Sequence, residues 1–187
     1  MQKKHYLYIA AAALILAFGY LSYILFLRDA RDTYTRRLQK RDSTATVSRE
    51  IQKNKKLREL ELVGEVTDEH LVAIAKDLEG NKSITTLRVE GHAGGVILGI
   101  LSAPVFREKG IRALTKMLSK NNAITHLELV RSLGRKRKVE RFDRVEKKLI
   151  LDGACSSKSL VKYTLNGVDY VMSDLRKKGK CPSSNPL

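Results

Sequence analysis

The chain has 187 residues, with 36 Lys/Arg against 20 Asp/Glu, a formal net charge of +16 and two cysteines. Once one long apolar run is set aside, about 160 residues remain, the size of one domain that can bury a core without metals or cross-links. Cys155 and Cys181 show no CxxC or zinc-like spacing; a disulfide between them is open to the chain, but two ordinary reduced thiols is the favoured reading.

The charge is unevenly spread. Residues 1–58 hold 13 Lys/Arg against 4 acids and residues 131–187 hold 15 against 6, whereas residues 59–130 hold 8 against 10. A nucleic-acid-binding module usually carries its basic stripe on the folded part. Excess on the flanks points first to anionic lipid or an acidic partner.

After a short basic N-terminus, residues 1–5, the run Tyr6–Leu27 contains no charge. Its 22 residues as a helix reach about 33 Å, against a hydrocarbon core of about 30 Å. Tyr6, Tyr8, Tyr20 and Tyr23 lie toward its ends, where amphipathic rings favour the interface. One transmembrane helix is expected over 6–27. A cleaved signal peptide is the rival, since Lys3 and Lys4 resemble its charged start, but its apolar region is shorter and ends at a small-x-small site. Here the run ends Leu25-Phe26-Leu27-Arg28.

Flanking charge sets orientation. Lys3 and Lys4 stand on one side; Arg28, Arg31, Arg36, Arg37, Lys40 and Arg41 stand on the other. This count places the bulk of the chain on the cytoplasmic side, or the matrix side of a mitochondrial membrane. The opposite arrangement keeps the short basic N-terminus inside. Residues 28–46 are expected to form a basic juxtamembrane helix or linker. Its six cations would lie near anionic headgroups, each worth about 1 kcal/mol.

Beyond this linker one cassette recurs. Asn54 opens a segment with Leu57, Leu60 and Leu62; Asn81 opens one with Ile84, Leu87 and Val89; Asn121 opens one with Ile124, Leu127 and Leu129. Each reads N-x-x-[L/I]-x-x-L-x-[L/V], the first two 27 residues apart and the next pair 40 apart. A fainter copy without the Asn has Leu160, Tyr163 and Leu165. Alternating apolar positions predict a short strand with one buried face. Before each Asn the spacing predicts a helix: Val47 and Ile51; then Leu71, Ile74, Ala75 and Leu78; then Ile111, Leu114, Thr115 and Leu118. Asn is expected to end each helix through its tolerance of the left-handed conformation. Neither strand nor helix closes a core alone, so about three copies must stack.

The combined pattern resembles leucine-rich repeats of the ribonuclease-inhibitor type, well over residues 47–130 and loosely over 131–170. The resemblance implies an α/β solenoid with parallel strands on a concave face and helices outside, preceded here by the membrane helix. It also implies protein binding as the function. One departure is clear: where the family places Asn or Cys three residues after the third apolar position, this chain has Glu65, His92, Ser132 and Val168. The repeat domain is expected over 47–170, with about three to four irregular repeats, an insertion at 91–106, and a basic C-terminal tail over 171–187.

Between the apolar positions the resemblance places side chains on the concave face. Arg58, Glu59, Glu61, Thr86, Arg88, His126, Glu128 and Lys162 are therefore candidate partner contacts. Their mixed sign suits a protein better than a phosphate backbone, although a solvated sheet face would look alike. The insertion carries Val96, Ile97, Leu98, Ile100 and Leu101. These either fold back on the core or form a second, apolar docking loop. The stretch Arg131–Lys148, with nine Lys/Arg against three acids, reads as an outer helix through Val139, Phe142, Val145 and Leu149.

Catalysis has little support. His5, His70, His92 and His126 show no metal-ligand spacing, and no base is identifiable for Cys155. No catalytic residue, cofactor or metal is expected. The favoured reading is a single-pass membrane protein presenting a repeat module to a protein partner, as a tethered adaptor or an accessory subunit of a membrane complex. The alternative is a membrane-surface or nucleic-acid tether acting through the basic flanks.

Overall fold

A computed structural model describes residues 33–38, 43–93, 105–133 and 138–181. In chain order the elements are β1 (Thr33–Leu38), α1 (Ala45–Lys53), β2 (Glu59–Gly64), α2 (Asp68–Leu78), β3 (Thr86–Ala93), α3 (Glu108–Lys120) and β4 (His126–Leu133). Then follow β5 (Lys138–Val139), α4 (Arg144–Ser156), β6 (Lys162–Leu165), β7 (Val168–Val171) and α5 (Met172–Lys177). The sheet runs β1-β2-β3-β4-β6-β7, with β5 paired to β4 off this path. β1, β2, β3, β4 and β6 are mutually parallel; β5 and β7 are antiparallel to their neighbours.

The register is that of stacked repeats. Tyr34, Leu60, Leu87, Leu127 and Tyr163 align across the five parallel strands, and Leu62, Val89, Leu129 and Leu165 align beside them. From Leu60 and Leu62 onward these side chains are buried, together with Leu57, Ile84, Ile124 and Leu160, one from the turn before each strand. Val47 and Ile51 of α1, Leu71, Ile74 and Leu78 of α2, and Ile111, Leu114, Met117 and Leu118 of α3 cover them. The apolar stripe and the alternating strand thus meet in one continuous core.

Local polar bonds tie each unit to the next. Thr67 and His70 form a reciprocal cap on α2: the Thr67 hydroxyl accepts from the His70 amide, and His70 Nδ1 accepts from the Thr67 amide. The α3 N-terminus has no cap from its own Arg107. Instead Asp68, on α2, accepts from the amides of Arg107 at 2.6 Å and Gly110 at 2.8 Å.

Several expectations are corrected. Residues 33–38 do not continue a helix; they form β1, so the repeat sheet begins before residue 47 and little of the 28–46 linker is left as a linker. Thr and Tyr favour a pleated edge, and pairing to β2 fixes the choice. The repeat asparagines do not adopt the left-handed conformation: Asn54 and Asn121 have φ of −89° and −81°, and among described non-glycine residues only Asn166 has positive φ. Their side chains do the work instead, as described below.

The outer helix of the fourth unit starts at Arg144, not at 131, and buries Glu146, Ile150, Gly153 and Ala154. Val139 and Val145 are exposed, Leu149 packs partly against the core, and Phe142 is buried in the preceding loop. Arg131 belongs to β4 and is fully buried. The segment from 171 is no tail as far as Cys181, because α5 buries Met172 and Leu175. Cys155 and Cys181 are joined in a disulfide, with Cα atoms 5.3 Å apart, rather than free. Of the insertion, Gly91–Ala93 extend β3, and Val105 and Phe106 are buried. The Phe106 amide donates to the Val66 carbonyl at 2.9 Å.

Candidate partner-binding face

Residues that alternate with the core positions share the other face of the sheet. Two rows result. Glu59, Thr86, His126 and Lys162 align in one, and Thr35, Glu61, Arg88, Glu128 and Thr164 align in the next. The structure therefore brings together seven of the eight expected contacts. Arg58 stands apart, just before β2, where its Nη1 donates to the Ser83 carbonyl at 3.0 Å.

Arg88 organises the face. Its Nη1 and Nη2 donate at 2.8 Å to Glu61 and to Glu90, and its Nε lies 3.4 Å from Glu128. Three strands are bridged by one planar, forked cation. Glu61 also accepts from the Thr35 hydroxyl of β1 at 2.8 Å. Beyond Glu90, His92 lies 3.1 Å away through Nε2, while its Nδ1 meets the Ser132 hydroxyl on β4. Glu90, His92 and Ser132 were not expected on the face; the period-two spacing from Arg88 already marked the first two.

At the β6–β7 end, Asp169 accepts from the Thr164 hydroxyl at 2.6 Å and from Lys162 Nζ at 3.1 Å. The Thr164 hydrogen bond, then Lys162, holds its carboxyl below the usual carboxylate range. The Arg88 side chain keeps 40 % of its surface exposed and that of Glu128 37 %. Among the described side chains the face carries Glu59, Glu61, Glu90, Glu128 and Asp169 against Arg88 and Lys162, with Arg37 at the register position of Glu90 on β1. It is acidic on a chain that is strongly basic.

The expected lipid contacts divide. Arg36 aligns with Leu62, on the core side of the sheet, with its Nε buried. Arg37 sits on β1 opposite Val63. Arg28, Arg31, Lys40 and Arg41 lie outside the described residues, as do Tyr6–Leu27 and the loop residues Val96, Ile97, Leu98, Ile100 and Leu101. Among the described residues no helix is long and apolar enough to cross a membrane. Also among them, no group of three or more His, Cys, Asp or Glu is placed to hold a metal ion.

The architecture places the described chain among proteins with a leucine-rich-repeat-like α/β fold. No family model matches the chain, and no curated protein matches it. Eleven chains of solved structures do. One is leiomodin-1 actin-binding site 2, with a TM-score of 0.51 and 18 % identity; the match covers 80 % of this chain and 76 % of that one. At this identity the likeness shows the fold.

Proposed function

We propose that this chain is a membrane-tethered repeat protein, related in pattern to the ribonuclease-inhibitor type, that binds a protein partner on the open face of its sheet. It acts as an adaptor or an accessory subunit of a membrane complex and catalyses nothing itself. The observation that carries this reading is the Glu61–Arg88–Glu128 row, prearranged in register on three strands and half-exposed. Such a lattice of fixed charges rewards a partner with complementary groups and penalises others. The leiomodin domain, named for binding the protein actin, shares the fold; it supports a protein as the class of ligand.

The tether is short. With the span at Tyr6–Leu27, only residues 28–32 separate it from β1, a reach of at most about 18 Å. The alternative reading through the basic flanks is weakened because Arg36 turns its Nε into the core side and Arg131 is withdrawn entirely.

Cross-linking mass spectrometry on intact membranes tests the proposal. Links from the sheet face to one integral or peripheral protein are expected, and Arg88→Glu in the full chain should reduce them at least about 10-fold, the loss of about 1.4 kcal/mol, without changing far-ultraviolet circular dichroism. Links retained at wild-type yield would sink the partner reading. Recovery of the mature chain in a soluble fraction without its first thirty or so residues would sink the tether.

A further inference from the structure

The C-terminal end of the sheet is built unlike the rest. Asn166 and Gly167, at φ of 50° and 81°, turn the chain back so that β7 runs antiparallel to β6 and ends the parallel stack. α5 follows at once with six residues, too few for a helix to persist unaided. It is held by two buried side chains, Met172 and Leu175, and by two bonds at its ends. The Met172 amide donates to the Val161 carbonyl, and Arg176 Nη2 donates to the Ser157 carbonyl at 3.1 Å. Beyond it the chain is fastened covalently, Cys181 to Cys155 in the last turns of α4. The closed loop of 26 residues contains β6, β7 and α5, the whole terminal cap. Repeat arrays depend on such caps to shield the last exposed core.

We infer that the Cys155–Cys181 bond is a structural staple on this cap, and that the repeat domain therefore matures on the oxidising side of its membrane. Stable disulfides form and persist in oxidising compartments and are kept reduced in the cytosol. The chemistry is thiol–disulfide exchange with a donor disulfide of a thiol oxidoreductase. One cysteine thiolate attacks the donor sulfur and gives a mixed disulfide; the second thiolate displaces the remaining donor sulfur. One protein S–S bond forms, one donor S–S bond breaks, and the two protons released from the cysteines end on the two donor thiols. This sidedness keeps Lys3 and Lys4 inside and carries the rest of the chain across. It opposes the flanking-charge count, which stays at five against two even with Arg36 assigned to β1; the disulfide is the observation set against that count. The sidedness rests on the membrane-tether reading; the pairing does not.

The test uses the full chain in intact membranes, acid-quenched and then treated with a maleimide-polymer reagent. No adduct is expected before reduction and two after it, while Cys155→Ala and Cys181→Ala each show one adduct without reductant. Two adducts on the unreduced wild type would overturn the staple. Protease added from the cytoplasmic or matrix face should spare the repeat domain; its digestion from that face overturns the sidedness alone. Reduction of the purified full chain should speed amide exchange across 168–177 at least about 10-fold. Unchanged exchange would show the cap to be held without the bond, and the staple role would fall.

Discussion

The Asn121 side chain donates to the Asn81 carbonyl at 2.9 Å, joining the corresponding turns of two successive repeats. The same nitrogen donates to the Leu78 carbonyl at 2.6 Å, and the side-chain oxygen accepts from the amides of Ala123 and Ile124 at 2.8 Å each. Asn81 repeats the arrangement one unit earlier, accepting from Ser83 and Ile84 and donating to the Ile51 carbonyl at 3.3 Å. In the fourth unit Ser157 stands in the Asn position and accepts from Leu160. The asparagine ladder that the strand-exit positions lack is present at the helix-to-strand turns.

Asn121→Ala should therefore be costly. It removes four hydrogen bonds, although the Leu78 carbonyl keeps the Asn81 amide as a donor, and at about 1 kcal/mol per lost bond a loss of about 4 kcal/mol is expected. Asn81→Ala should cost less, since Asn81 is half-buried. Urea titration of the two variants reads the order. Equal costs would contradict a ladder that gains strength toward the buried repeat.

The buried pair Arg131–Glu146 makes a second prediction. Arg131 Nη1 and Nη2 donate to the two Glu146 oxygens, and the guanidinium lies 4.1 Å from the Phe142 ring centre. Glu146 also accepts from the Asp143 amide at 2.9 Å in the capping box of α4. Arg131→Met alone leaves a carboxylate uncompensated and should cost about 3–5 kcal/mol, whereas Arg131→Met with Glu146→Leu should recover most of it. A double-mutant cycle by denaturant unfolding decides; a double variant no more stable than the single would count against this account.

Gly91 tests the seating of the insertion. A Cβ there would meet Val105 Cγ1 at 2.0 Å and Phe106 Cε1 at 2.9 Å, whereas one at Gly80 meets nothing within 4 Å. Gly91→Ala should lower stability by about 1–3 kcal/mol and Gly80→Ala by less than about 0.5 kcal/mol. Thermal melts of the pair suffice, and similar melts would mean that Val105 and Phe106 give way.

Alkaline titration addresses the cap. Burial, and then neighbouring Tyr170, push the Tyr163 hydroxyl up to about 12; the two rings stack at 4.8 Å. Because the folded value lies above the unfolded one, this contribution is intact below pH about 10 and is lost as pH rises through about 12. Tyr163→Phe should flatten the wild-type decline in stability across that window, by up to about 2 kcal/mol. Tyrosinate absorbance against pH supplies the check, and parallel stability curves would refute it.

Much of this fold was legible because Leu60, Leu87 and Leu127 and their helical partners repeat at fixed offsets, and periodicity is what a stacked core imposes. Where the pattern was broken, reading failed for physical reasons. β1 was hidden because Arg36 occupies a core-side position that only pairing to β2 makes intelligible. The face of α4 was misread because its inward residue Glu146 is charged, and its burial depends on Arg131 from a different element. The cysteine pair could not be inferred, since a 26-residue separation implies no contact until the β6–β7 turn folds the chain back. On the candidate face the residue types were evident, but the convergence of Glu61, Glu90 and Glu128 on one Arg88 required the inter-strand register.

The reversal at Asn166–Gly167 also constrains how such a chain can lengthen. A duplicated strand–helix unit placed between β2 and β4 would find a parallel neighbour on each side, an asparagine to bond and an aspartate to cap its helix. Placed after β7 it would meet a strand of opposite polarity and a helix already lying against the last turn. Variation in repeat number is thus shut out of the C-terminal end, which stays fixed while the units before it change.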